Sequence, residues 1–240
     1  MTSRVPSFSR PLRKGRESTT ADPAKRTPGH LFSRTFFEDS PEHVAPRLLG
    51  KILAHRTRAG WLAGRIVEVE AYLGPHHGTP DRAAHSHRGP TPRNQVLFGP
   101  GGFAYVYAIY GLYFCMNITC EVHGLAGCIL LRALEPLTGL GQMAKNRGLD
   151  VDAKPSQLTS GPSRLCQALG LTRPTHNGID LLDPASPLQV RDDGFAVGKV
   201  MITPRIGIRH AADLPLRFAV PEHGCVSGPK TLKGKCIFLR

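Results

Sequence analysis

Phe103-Ala-Tyr-Val-Tyr-Ala-Ile-Tyr-Gly-Leu-Tyr-Phe-Cys-Met-Asn117 places four of the protein's five tyrosines within nine positions. Phe103, Tyr105, Tyr107 and Ile109 alternate with Ala104, Val106 and Ala108, the period of a strand with one bulky and one small face. The alternation breaks at Tyr110. Gly111 tolerates φ > 0, so the chain can reverse there and return through Phe114, Met116 and Ile118. The stretch therefore reads as a two-stranded ribbon with Tyr110 at its tip. Such a ribbon either packs its rings into a core or pushes into a base stack and receives a base on aromatic faces.

A second stretch bears on that choice. In Arg65-Ile-Val-Glu-Val-Glu-Ala-Tyr72, period-2 alternation puts Val67, Val69 and Ala71 on one face and Ile66, Glu68, Glu70 and Tyr72 on the other. A solvated strand face accounts for two carboxylates at this spacing. A chemical role is the alternative, because the strand runs into a loop, residues 73 to 94, rich in Gly, Pro, His and Arg and holding His85 and Arg93. Arg132 interrupts the apolar run from Cys128 to Leu134. A guanidinium buried there needs a carboxylate, and Glu68 or Glu70 would serve; at a sheet edge it would reach solvent instead.

At 240 residues and 40% apolar composition the chain can build one large core. Ser40-Pro-Glu-His43 reads as the start of a helix to Leu48, Leu137 to Arg147 has helical periodicity, and Ser160-Gly-Pro-Ser163 opens a helix to Leu169. Short strands are expected at 188–191, 199–203 and 216–220. With no repeat and no linker, the expectation is one α+β domain over residues 31–240. Residues 1–30 carry seven Lys or Arg against two acidic residues and read as a disordered basic arm.

Lys and Arg outnumber Asp and Glu by 31 to 18, a formal charge of +13 that favours an anionic partner. The longest apolar runs fall far short of the roughly 20 residues of a spanning helix, and no secretory segment is evident, so an intracellular protein without membrane contact is expected. Six cysteines without a CxxC pair read as buried free thiols. His76, His77, His85 and His87 lack the spacing of a helical metal site, so neither metal nor cofactor is expected. Gly99 to Ala104 fits a dinucleotide fingerprint in letters only, since it leads into a strand rather than a helix. Gly228 to Lys235 lacks the spacing of a P-loop.

Seven motifs, in order, carry a resemblance. They are Glu-Ala-Tyr-Leu-Gly-Pro at 70–75, Ala-His-Ser at 84–86, Thr-Pro-Arg-Asn at 91–94, Tyr-Val-Tyr at 105–107, Tyr-Gly-Leu-Tyr-Phe-Cys-Met-Asn at 110–117, Leu-Leu-Arg-Ala-Leu-Glu-Pro at 130–136 and Ser-Gly-Pro-Ser at 160–163. Together they closely resemble the alkyladenine (3-methyladenine) DNA glycosylase family. The resemblance implies a single mixed domain with a curved antiparallel β-sheet, flanking helices and a protruding β-hairpin that enters the DNA minor groove. It implies that Glu70 is the general base that activates water and that Arg132 helps to hold that water. Tyr110 matches the intercalating tip, and Tyr72, His85 and Tyr107 match the walls of the flipped base's pocket. Asn117 matches the residue that crowds the exocyclic amine of guanine, while Arg93 and Tyr113 are further candidates for DNA contact. The chain departs from the family's vertebrate members at His76-His-Gly-Thr-Pro-Asp81, where theirs is a shorter acidic loop, and residues 121–123 read as inserted.

The implied partner is double-stranded DNA containing damaged bases, met by a monomer wherever the DNA is, whether bacterial cytoplasm and nucleoid or nucleus. A base inside a duplex is out of reach, so such an enzyme extrudes it. N-alkylated purines are cationic, and aromatic faces attract them by about 0.5 to 2 kcal/mol beyond ordinary stacking. Lys51 is the one lysine between residues 27 and 144 and lies outside every motif, which favours water over a Schiff base as nucleophile. Two other classes fit the aromatic hairpin: a lesion-sensing protein without catalysis, which has no use for an aligned Glu70 and Arg132, and an RNA-binding module, which prefers single strands.

Overall fold

A computed structural model describes residues 29–78, 81–229 and 234–238; the arm expected at 1–30 lies outside these residues except for its last two positions. Ten strands form one antiparallel sheet: β1 (His30–Leu31), β2 (Ile52–Thr57), β3 (Gly60–Tyr72), β4 (Ala104–Ile109), β5 (Tyr113–Cys120), β6 (Gly127–Thr138), β7 (Leu188–Asp192), β8 (Lys199–Thr203), β9 (Arg217–Ala219) and β10 (Lys235–Phe238). The main path runs β1-β7-β2-β3-β6-β5-β4, with β9, β8 and β10 branching from β3. Five helices, α1 (Pro41–Leu48), α2 (Leu140–Arg147), α3 (Pro155–Thr159), α4 (Pro162–Leu169) and α5 (Arg173–His176), complete the α+β fold among the described residues. Pro41 occupies the first turn of α1, where no backbone donor is required, and Val44, Ala45 and Leu48 are buried. In α4, Leu165, Cys166, Ala168 and Leu169 form the buried stripe, and the helix packs on β5 and β6. None of the described helices is long and apolar enough to cross a membrane.

The long strand β3 organises the sheet. One edge pairs with β6; the other pairs with β2 from Gly60 to Arg65 and with β9 from Glu68 to Glu70. The register against β6 shifts between Ile66 and Glu68, a β-bulge where the sheet divides into its two arms. This bulge corrects the simple alternation. Ile66 packs in the main core with Val69 and Ala71, whereas Val67 packs with Ala133 and Cys225 in a separate cluster. Glu68 and Glu70 lie beyond the bulge and are both 0% exposed, which removes the reading of a solvated strand face.

Two other expectations change. The helix expected from Leu137 starts at Leu140, because β6 continues to Thr138 and Gly139 turns the chain at φ 79°. Strand β2 had not been anticipated; it is a central strand, hydrogen-bonded to β3 and β7 and buried over its first four residues.

The tyrosine-rich stretch is a hairpin. β4 and β5 pair from Ala104↔Ile118 to Ile109↔Tyr113. Ala104, Val106, Met116 and Ile118 face the main core, while Tyr105 and Tyr107 belong to a second cluster with Tyr72 and Cys128. Gly111 turns at φ 72°, and Tyr110 itself sits at φ 48°, an uncommon conformation for a residue with a bulky side chain.

Candidate active site

Two buried carboxylates stand in different circumstances. Glu68 Oε1 accepts from Arg132 Nε at 3.0 Å and Arg217 Nε at 2.7 Å, and its Oε2 accepts the Ser227 N–H at 2.6 Å. Arg217 also donates to Thr203 and to the Ser227 carbonyl. Glu68 therefore joins β3 to β6, β9 and the chain beyond β9. Glu70 Oε1 meets Arg132 Nη1 at 3.0 Å and accepts the Ile206 N–H at 2.8 Å, while Oε2 accepts the Tyr72 hydroxyl at 2.9 Å. On each carboxylate Oε1 holds two partners and Oε2 one, so both keep a lone pair on Oε2 and they differ in surroundings: Oε2 of Glu70 meets the Tyr72 ring's hydroxyl, and Oε2 of Glu68 meets the Ser227 backbone. Arg132 is 7% exposed and pairs with both carboxylates rather than with one. Burial alone would lower its pKa, but Glu70 and then Glu68 raise it above the ordinary value, so the guanidinium stays charged.

Beside Glu70 lies a cavity of about 110 Å³ lined by Tyr72, His85, Tyr105, Tyr107, Asn117 and Cys128, among others. Tyr105 and Tyr107 stack with centroids 5.6 Å apart, and His85 meets Tyr107 edge-on at 4.5 Å. Burial pushes the Tyr105 hydroxyl up to about 12, and it lies 3.1 Å from His85 Nδ1. Desolvation, followed by the charge of Arg93, lowers the pKa of His85 and favours a neutral ring. Asn117 is 4% exposed, and its Oδ1 accepts from the Cys128 thiol at 3.7 Å. Tyr72 is covered by the Arg205 guanidinium, 4.5 Å from the ring centroid. Arg205 is anchored in turn by Asp81 at 2.6 and 2.8 Å, and Asp81 accepts the Leu73 N–H. Asn94 bonds the carbonyls of His85 and Gly89 and accepts from Thr91, which fixes the loop that carries His85.

Arginines line two surface depressions. Arg82, Arg88 and Arg93 line a cleft that shares His85 and Tyr105 with the aromatic cavity. Tyr110, 90% exposed, and Tyr113, 46% exposed, lie across a depression from Arg147 and Arg164. Two large rings in water beside two arginines suit a polyanion that brings its own stacking partners.

The family model for methylpurine-DNA glycosylase matches residues 35–224. The chain belongs to this family. A protein of Koribacter versatilis is 52% identical over 202 residues, covering 83% of this chain and 94% of its own. One of Rhodopseudomonas palustris is 48% identical over 201 residues, covering 84% and 90%. A third, of Methanoculleus marisnigri, is 49% identical over 187 residues, covering 76% and 91%. All three bear the provisional name 3-methyladenine DNA glycosylase. The protein is thus a DNA glycosylase of base-excision repair, a hydrolase of N-glycosyl bonds, and a purely sensing or RNA-binding role is not favoured.

In this glycosylase, the residues singled out from sequence fall into two groups. Glu70, Arg132, Tyr72, His85, Tyr107 and Asn117 surround one region. Tyr110 and Tyr113 lie on the outer hairpin, and Arg93 lies in the basic cleft. Sequence reasoning missed Arg217, Arg205 and Asp81, which hold Glu68, the Tyr72 ring and the loop. Arg217 and Arg205 lie in short strands and turns far along the chain, and no local pattern marks their partners. Tyr105 was readable as bulky but not as the ring that meets His85.

Proposed function

We propose that the glycosylase acts as a monomer on duplex DNA carrying alkylated or deaminated purines, 3-methyladenine above all. In this reading Tyr110 fills the stack vacated by the extruded nucleotide, while Arg93 and Tyr113 contact the DNA. The damaged base rests among Tyr72, His85 and Tyr107, where a neutral imidazole adds no repulsion toward a cationic purine. Asn117 crowds the exocyclic amine of guanine and so protects undamaged DNA.

Chemistry begins as the bond between C1′ and the purine nitrogen lengthens and positive charge grows on the sugar. Glu70 stabilises that charge and takes a proton from water through Oε2, and Arg132 helps to hold the water. The water oxygen bonds to C1′ and the bonding electrons leave with the purine, giving free base and an abasic site. No lysine is required, and Lys51 is held by Asp192 at 2.7 Å.

The hydrogen bond that ties Glu70 Oε2 to Tyr72, itself a wall of the aromatic cavity, carries this reading. Duplexes each bearing a single lesion, incubated with the protein and then heated in alkali to cut abasic sites, test it. Cleavage confined to alkylated and deaminated purines is expected, and intact strands across the whole set would refute it.

A further inference from the structure

The turn after β3 and the turn between β5 and β6 meet at three side chains that the excision chemistry leaves unused. His76 Nε2 lies 3.1 Å and His77 Nε2 2.8 Å from one oxygen, Oε1 of Glu121. All the potential ligand atoms lie within 4.8 Å of one another, the one such set among the described residues. The Glu121 side chain is 6% exposed, its Oε2 has no hydrogen-bond partner among the described residues, and its backbone holds φ 74°. A carboxylate buried in this way is costly, and both imidazoles crowd onto one of its oxygens while the other goes unmet.

Zinc suits this arrangement. Ligands held at 2.0–2.2 Å around a tetrahedral ion stand about 3.3 Å apart, close to the two nitrogen–oxygen separations here, and His₂Glu with an open fourth position is a familiar zinc set. We propose that His76, His77 and Glu121 bind Zn²⁺ or a divalent transition metal of similar preference, with water in the fourth position. Each imidazole then carries its proton on Nδ1 and offers the Nε2 lone pair, and the ion supplies the charge that Glu121 lacks. The sequence raised no expectation of a metal because the third ligand lies 44 residues beyond His77, a separation no spacing motif captures.

The metal serves as a clamp rather than a reactant. It ties the start of the loop carrying Asp81, His85 and Asn94 to the turn that precedes β6, so the wall of the base cavity is braced from outside. Full-length protein stripped with a chelator and titrated with Zn²⁺ should bind one equivalent, melt at higher temperature, and resist trypsin at Arg82 and Arg88. His76→Gln/His77→Gln should weaken binding at least about a hundredfold and abolish both effects. X-ray absorption of zinc in the unaltered protein should show nitrogen and oxygen neighbours without sulfur, a result that stands even where the double variant folds poorly. No binding, a sulfur shell from the cysteines, or equal affinity in a folded double variant would overturn the proposal.

Discussion

Replacing Glu70 by Gln removes one charge and leaves the shape nearly intact. The amide carbonyl can still accept the Ile206 N–H that Oε1 accepts now, and Arg132 keeps Glu68 as its counter-ion at 3.0 Å. Folding should therefore lose only about 1 to 2 kcal/mol, the worth of a charge-assisted hydrogen bond weakened to a neutral one. The loss in rate is larger. A general base contributes about 10² to 10⁴, which is roughly 3 to 5 kcal/mol of barrier. Single-turnover release of 3-methyladenine from a labelled duplex should fall at least a hundredfold, while fluorescence anisotropy shows lesion binding preserved. Glu68→Gln should behave oppositely. It leaves Arg217 buried with its carboxylate partner gone, at a cost of about 3 to 5 kcal/mol in stability, and whatever protein remains folded should retain the catalytic carboxylate. A Glu70→Gln enzyme excising at near wild-type rate would refute the assignment, and an inactive but fully stable Glu68→Gln would transfer it to the neighbour.

Tyr110→Ala should weaken binding to lesion duplexes by roughly 1 to 3 kcal/mol, the value of one stacked ring. Because Tyr110 is 90% exposed, the melting temperature should barely change, and a large fall would mark the ring as structural. Asn117→Ser should raise release of undamaged guanine relative to 3-methyladenine, since a smaller side chain admits the exocyclic amine; an unchanged product ratio counts against the role. Acid should loosen the fold through His55 and His176, whose Nε2 atoms lie 3.1 Å apart in the interior. Desolvation lowers both pKa values, that of His176 from 6.5 to about 4 with the neighbouring His55 adding to the effect. The folded state thus resists a proton that the unfolded chain accepts, so this contribution is complete above pH 6.5 and is lost as pH falls through about 4, by up to about 3 kcal/mol. Urea midpoints across that range should fall more steeply for the native protein than for His176→Gln, and parallel curves would exclude the pair as the cause.

The hairpin was legible because both of its determinants are local: alternation sets the faces, and Gly111 permits the reversal. The carboxylates were legible as a pair but not as individuals. Alternation finds Glu68 and Glu70 on one face, yet what separates them lies in their partners: Arg217, 149 residues from Glu68, ties that carboxylate to β9, while Glu70 meets Tyr72 at the cavity wall. The bulge was invisible for a related reason. Ile66 and Val67 are equally apolar, and the choice of which enters the main core belongs to the pairing with β6. β2 escaped notice because Ile-Leu-Ala-His-Arg-Thr has no clean period, and His55 is tolerated inside only because Leu169 and His176 meet its two nitrogens.

The network around Glu68 also divides the enzyme into parts that open at different free energies. It links β3, β6, β9 and the chain at Ser227 through buried ionic contacts, so amide protons around Glu68 and Glu70 should exchange with solvent only when most of the sheet comes apart. The hairpin tip has no such tie: Tyr110, Leu112 and Tyr113 are all exposed, and the tip can fray without disturbing the core. Warming should therefore erode the grip on DNA before it harms the strand that carries Glu68 and Glu70. Between those temperatures the protein would still be folded and chemically competent, but slow to capture a lesion, and activity lost there should return on cooling without any refolding step.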